Sequence, residues 1–186
     1  MKTKLVIVSA VIIGMAALGC FLLPGCSKSK ISKVQPGRDA THDEIRNTSV
    51  DDWFDRIGEK EAALGYAPNT SLNALIQKAK ESDTVKDSIV NEATQIIGDS
   101  TQDSYKRWQS CYILSYIGDE RSIPTLKQAL NNDESVTVRG VAACALGAFD
   151  NSDARDALEE AAKNEKKLDV QAWIQKALDG QFLPKK

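Results

Sequence analysis

The 186-residue sequence is short of the residues that carry out chemistry: it has one histidine, four cysteines and two methionines, and aromatic residues make up only 6%. The histidine, His42, has no neighbouring cysteine and no second histidine, so it makes a poor metal site. From residue 50 onward no imidazole stands ready as a general base, and no glycine-rich loop is shaped to cradle a phosphate. Lys and Arg total 24 against 26 Asp and Glu, a net charge of -2, which lacks the cationic excess that nucleic acid requires. Acid pairs such as Glu159-Glu160, beside Lys163, read as an ordinary solvated helix face. Neither an enzyme, a cofactor, a metal centre nor a nucleic-acid partner is expected. Strand-like alternation is also missing, so the expected fold class is all-α.

The N-terminus is the first positive signal. Lys2 and Lys4 precede an almost uncharged stretch from Leu5 to Leu23, which runs into Pro24-Gly25-Cys26-Ser27. Charge, apolar run, small residue and cysteine follow the order of a secretory signal. The segment resembles the lipobox of bacterial lipoproteins. That resemblance implies cleavage after residue 25, a diacylglyceryl group on the Cys26 thiol and acylation of the new N-terminus, as by palmitate. Two or more chains give lasting membrane attachment where one does not. Two alternatives stay open: a second box at Ala17-Leu18-Gly19-Cys20, and a retained signal anchor, since 18 or more apolar residues can span a bilayer. In each case the chain beyond the anchor lies across the membrane from the Lys2 and Lys4 end. Ser27 in place of aspartate after the cysteine points to the periplasmic face of the outer membrane in a cell with two membranes. Loss of residues 1–25 takes the net charge to -4.

Residues 26–49 read as the lipidated cysteine and a flexible spacer, polar and without apolar periodicity. Lys28, Lys30, Lys33 and Arg38 either lie against anionic lipid or are simply solvated. Val50, Trp53, Phe54 and Ile57 then mark one face of a short helix, with Asp51 and Asp52 in its dipole-favoured first turn. A turn over 65–69 precedes a second helix carrying Leu72, Leu75, Ile76 and Ala79, with Ser71 as its cap. Residues 50–82 are thus expected to be N-terminal capping helices.

Beyond them the chain repeats itself. A shift of 32 places Arg107 on Arg139, Leu114 on Leu146, Leu126 on Leu158 and Ala129 on Ala161; a further 32 carries Val138, Ala145 and Leu146 onto Val170, Ala177 and Leu178. Gly118-Asp119 and Asp150-Asn151 punctuate the units. Val138-Arg139, Ala142, Ala143, Ala145-Leu146-Gly147 and Phe149-Asp150 resemble the second helix of a HEAT repeat, in the short form of the phycobilisome lyases. Ser122-Ile123-Pro124-Thr125-Leu126 and Ala154-Arg155-Asp156-Ala157-Leu158 resemble the first helix of such a unit. The resemblance implies a short right-handed α-solenoid of HEAT-like helical hairpins over 83–181, followed by a tail at 182–186. It also implies that Arg107 and Arg139 pair with Asp133 or Asp103 to tie units together. Lys106 and Gln171 depart from the pattern, as terminal units do.

One helix holds most of the aromatics. Tyr105, Trp108, Tyr112 and Tyr116 fall within about 80° of one another on a helix turning about 100° per residue, opposite Arg107, Cys111 and Leu114. In the family such positions line the concave face, and Tyr and Trp dominate binding hot spots. The stripe therefore has two readings: it holds a partner, or it fills the gap over Gly140, Cys144 and Ala148 or lies under the helix around Trp53. Cys111 and Cys144 are read as buried free thiols in preference to a disulfide. Trp173 is expected to close the last unit, with Phe182 and Leu183 folding back over it. The functional expectation is a monomeric, membrane-anchored scaffold or adaptor that binds a protein on its concave face. An accessory subunit of an envelope enzyme complex, a small-ligand carrier and an enzyme are the alternatives.

Overall fold

A computed structural model describes residues 37–58 and 69–182. The signal segment, Cys20, Cys26, the spacer as far as residue 36, residues 59–68 and residues 183–186, Leu183 among them, lie outside the described residues.

The helices are α1 (His42–Asn47), α2 (Val50–Arg56), α3 (Thr70–Lys78), α4 (Asp83–Gly98), α5 (Ser104–Ile117), α6 (Ile123–Asn132), α7 (Val136–Leu146), α8 (Ser152–Asn164) and α9 (Leu168–Leu178), with a 3₁₀ turn at Glu120–Ser122. Consecutive helices from α2 onward pack as hairpins: α2 with α3, α4 with α5, α6 with α7 and α8 with α9. The first helices of the hairpins form one row, in which α2, α4, α6 and α8 touch in turn, and the second helices α3, α5, α7 and α9 form the other. This is an all-α, HEAT-like solenoid, and no transmembrane-length apolar helix occurs among the described residues.

The helix ends are written locally. Ser49, Ser82, Ser135 and Asn151 each accept a backbone N–H from the first turn, and Gly118 closes α5 in the left-handed conformation with φ 70°. One hydrophobic core runs the length of the stack, from Trp53, Phe54 and Ile57 through Leu75, Ile89, Leu114, Leu126 and Leu146 to Leu158, Val170 and Ile174. A single hairpin has only one neighbour's worth of apolar surface to bury, so the stack itself creates this spine. Helices α7 and α9 approach closely at Gly147, where a Cβ would stand 2.6 Å from that of Ala177.

Two expectations are corrected. The flexible spacer was expected to run through Ser49, but its last part folds as α1. Thr41 and Glu44 form a reciprocal capping box, Arg38 holds Glu44 through two bonds of 2.5 and 2.8 Å, and Ile45 is buried. The buried Lys78 ammonium then donates to the carbonyls of Ile45 (3.1 Å) and Arg46 (3.3 Å) near the C-terminus of α1, where a cation is favoured. Ser71, expected as a cap, is instead buried within α3. The cap position is held by Asn69 with φ 68°, a conformation asparagine tolerates better than most residues, and Gln109 of α5 donates to its side-chain oxygen at 3.0 Å.

Candidate functional site

The units are tied by buried ion pairs. Arg107 donates from Nε and Nη2 to Asp133 at 2.8 and 3.0 Å, a bidentate pair in which the side chains are 2% and 7% exposed. Its remaining nitrogen donates to the carbonyls of Ser100 and Gln102, so the Asp133 hydrogen bond holds the guanidinium in its charged form more firmly than usual. Arg139 repeats the arrangement one unit on, but its acid is Glu165, at 2.8 Å, and only the backbone oxygen of Asp133 accepts from it. The expected pairing of Arg107 with Asp133 is present, whereas that of Arg139 is corrected to Glu165. Asp103 caps α5 by accepting from Tyr105 N at 2.6 Å. In the last unit Gln171 stands at the arginine position and reaches the Glu165 backbone oxygen, at 2.5 Å. It needs no carboxylate, because no further described unit follows.

The opposite side of α5 carries the aromatic stripe. Tyr105 is half-buried, its ring 5.0 Å from that of Trp108 in an edge-on arrangement and 3.6 Å from where a Cβ on Gly58, just after α2, would stand. Trp108 and Tyr112 are also partly buried against the core, and Tyr116 is 38% exposed with Lys80 5.7 Å above its ring. Burial pushes the Tyr112 hydroxyl up to about 12, so it remains a donor at neutral pH. Among the described residues, no hydrogen bond engages the Trp108 indole N–H or the hydroxyls of Tyr112 and Tyr116.

The neighbouring helix presents small residues. Gly140, Cys144 and Ala148 on α7 occupy the positions of Trp108, Tyr112 and Tyr116 on α5. The gap over Gly140 is taken by Trp173 of α9, whose Cδ1 would lie 3.2 Å from a Cβ there. Phe182 stacks beside Trp173 at 6.1 Å, and Lys176 sits 4.6 Å over the same indole. The outward face of the second-helix row thus runs from aromatics on α5, across a low floor on α7, to an aromatic and cationic wall on α9.

The thiols carry no bridge. Cys111 is buried and Cys144 partly buried, both are free, and burial raises both, Cys144 to about 12. Such thiols are poor nucleophiles. His42 is exposed on α1, and no group of three or more potential metal ligands occurs among the described residues. Two surface clefts of about 210 and 340 Å³ lie elsewhere: one by Gly147, Asn151 and Gly180, the other by Asp133, Arg139 and Glu165. Neither is lined by Trp108.

The repeat spacing, the ion-pair ladder and the two-row stack give the family comparison its meaning. The HEAT-repeat family model matches residues 90–179. That span starts inside α4 and ends after α9, so it covers the HEAT-like hairpins and leaves out α1, α2 and α3. HEAT repeats are commonly protein-interaction scaffolds. Neither a curated protein nor a solved structure matches the chain.

Proposed function

We propose that this protein is a non-enzymatic adaptor of the cell envelope, held to a membrane by lipid on Cys26 and binding a protein partner on the outward face of its second-helix row. The observation that carries the reading is the stripe of Trp108, Tyr112 and Tyr116: amphipathic rings packed on a rigid helix, with their polar tips unengaged by any described residue. Rings fixed at their base lose little entropy when a partner covers them, which is why Tyr and Trp recur as anchors. The lipid would fix location and the residues after Cys26 would set reach, with the chain acting as a monomer at the periplasmic face of an outer membrane.

The test is crosslinking and pull-down from native membranes with the wild-type chain and a Trp108→Ala, Tyr112→Ala variant. The expected result is loss of a defined crosslinked partner at unchanged helix content by circular dichroism. If the variant unfolds, these rings serve packing and the adaptor reading loses its site. Copurification with one fixed set of membrane enzymes would favour an accessory subunit.

A further inference from the structure

The chain is acidic overall, yet the cations seated on the aromatic rings of the outward face are Lys80, over Tyr116, and Lys176, over Trp173. Four other lysines lie beside acids: Lys78 with Glu81, Lys86 with Asp83, Lys106 with Asp55 and Lys127 with Glu160. No carboxylate lies within ion-pair distance of Lys80 or Lys176 among the described residues. Each ammonium lies over a π-face instead, on an exposed side chain.

The two lysines bracket the trough. The 32-residue repeat puts Tyr112, Cys144 and Lys176 in one line across α5, α7 and α9, and Tyr116 and Ala148 in the next. Helices in contact lie about 8–10 Å apart, so from the α5 rings to the α9 indole the face spans about 16–20 Å. An extended chain covers that in about six residues. The donors along the way, the indole N–H of Trp108 and the hydroxyls of Tyr112 and Tyr116, meet no acceptor within the described residues, so the face offers donors and positive charge over an apolar floor.

Resting on the adaptor reading above, we propose that the partner is recognised through a short acidic segment, with carboxylates reaching Lys80 and Lys176 and an apolar side chain lying over Cys144 and Ala148 between the aromatic walls. The ammonium groups supply orientation and association rate, while the rings and floor supply the buried contact area. Lys80 and Lys176 are exposed and pair with no carboxylate among the described residues, so replacing them leaves the stack intact.

The test selects a random short-peptide library on the immobilised full chain, in parallel with a Lys80→Gln, Lys176→Gln variant. The expected outcome is enrichment of Asp or Glu flanking Leu or an aromatic on the wild type, and loss of the acidic preference on the variant. The best peptide should bind the variant at least about tenfold more weakly, with a smaller salt dependence. Apolar enrichment without acids, or an equal acidic preference on both proteins, overturns this inference and leaves the adaptor reading standing. No enrichment beyond that of a Trp108→Ala, Tyr112→Ala variant overturns both. Lysine-dependent binding to vesicles of phosphatidylglycerol and phosphatidylethanolamine in equal parts, without peptide selection, would make the face a lipid-contacting surface and also overturn the inference.

Discussion

Arg107 and Arg139 each reach an acid 26 residues further along the chain, and the two pairs sit between successive hairpins where water is scarce. Removing one partner of a buried pair strands the other charge, which costs about 3–5 kcal/mol. Asp133→Ala is therefore expected to lower unfolding stability by about that amount in urea titration. Exchanging an exposed acid such as Glu159 should cost well under 1 kcal/mol. Glu165 adds a pH dependence. The hydrogen bond from Arg139 holds its carboxyl below the ordinary 4.5, against the opposing effect of burial. A lowered folded-state value stabilises the protein above the unfolded value and loses that contribution as pH falls through the folded one. Acid unfolding should steepen below about pH 4.5, and Glu165→Gln should flatten that limb while lowering stability at neutral pH. Glu165 was missed in the sequence although the shift of 32 from Asp133 lands on it, because an Asp-to-Glu change hides the match to anyone comparing residue identities.

Among the elements, α7 and α9 approach closely at Gly147, and the seam between α3 and α5 holds buried polar side chains. A methyl on Gly147 would overlap the Ala177 side chain at 2.6 Å and its Cα at 2.9 Å, and both helices are fixed by their hairpin partners. Gly147→Ala is expected to lower stability by about 1–3 kcal/mol through overpacking, read as a drop in Tm. At the other seam, Gln109 and Ser110 are buried on α5; the Gln109 side-chain oxygen and the Ser110 hydroxyl have no hydrogen-bond partner among the described residues. Ser110 stands where the later units have Ala142 and Ile174, so this seam departs from the repeat. Helix α1 shows how a short element escapes periodicity. With Ile45 as its one buried residue it has no stripe to detect, and the Thr41-x-x-Glu44 capping box was its only local signature.

At the scale of the whole molecule, the described residues form a stack with one spine, and the proposed anchor lies in the chain that precedes it. If Cys26 carries the lipid, Cys26→Ser should leave the stack folded while abolishing lipid labelling and shifting the protein to the soluble fraction or leaving it unprocessed. Normal labelling of that variant would reassign the anchor, with Cys20 the next residue to test. Among the described residues the buried core begins at Ile45, so this change should leave the thermal transition unaltered.

The sequence by itself determined the helical class, the hairpin repeat and the arginines that tie it. These follow from spacing along the chain: apolar residues at helical intervals, caps at helix starts and a shift of 32 that preserves small and large core positions. Only the tertiary structure decided which acid each arginine meets, that Trp173 and not Trp108 lies over Gly140, and that Lys80 and Lys176 lie over aromatic rings. Those facts concern residues brought together from different hairpins. Periodicity says which face of a helix is buried, but the neighbour that covers each position is set by how the hairpins pack against one another.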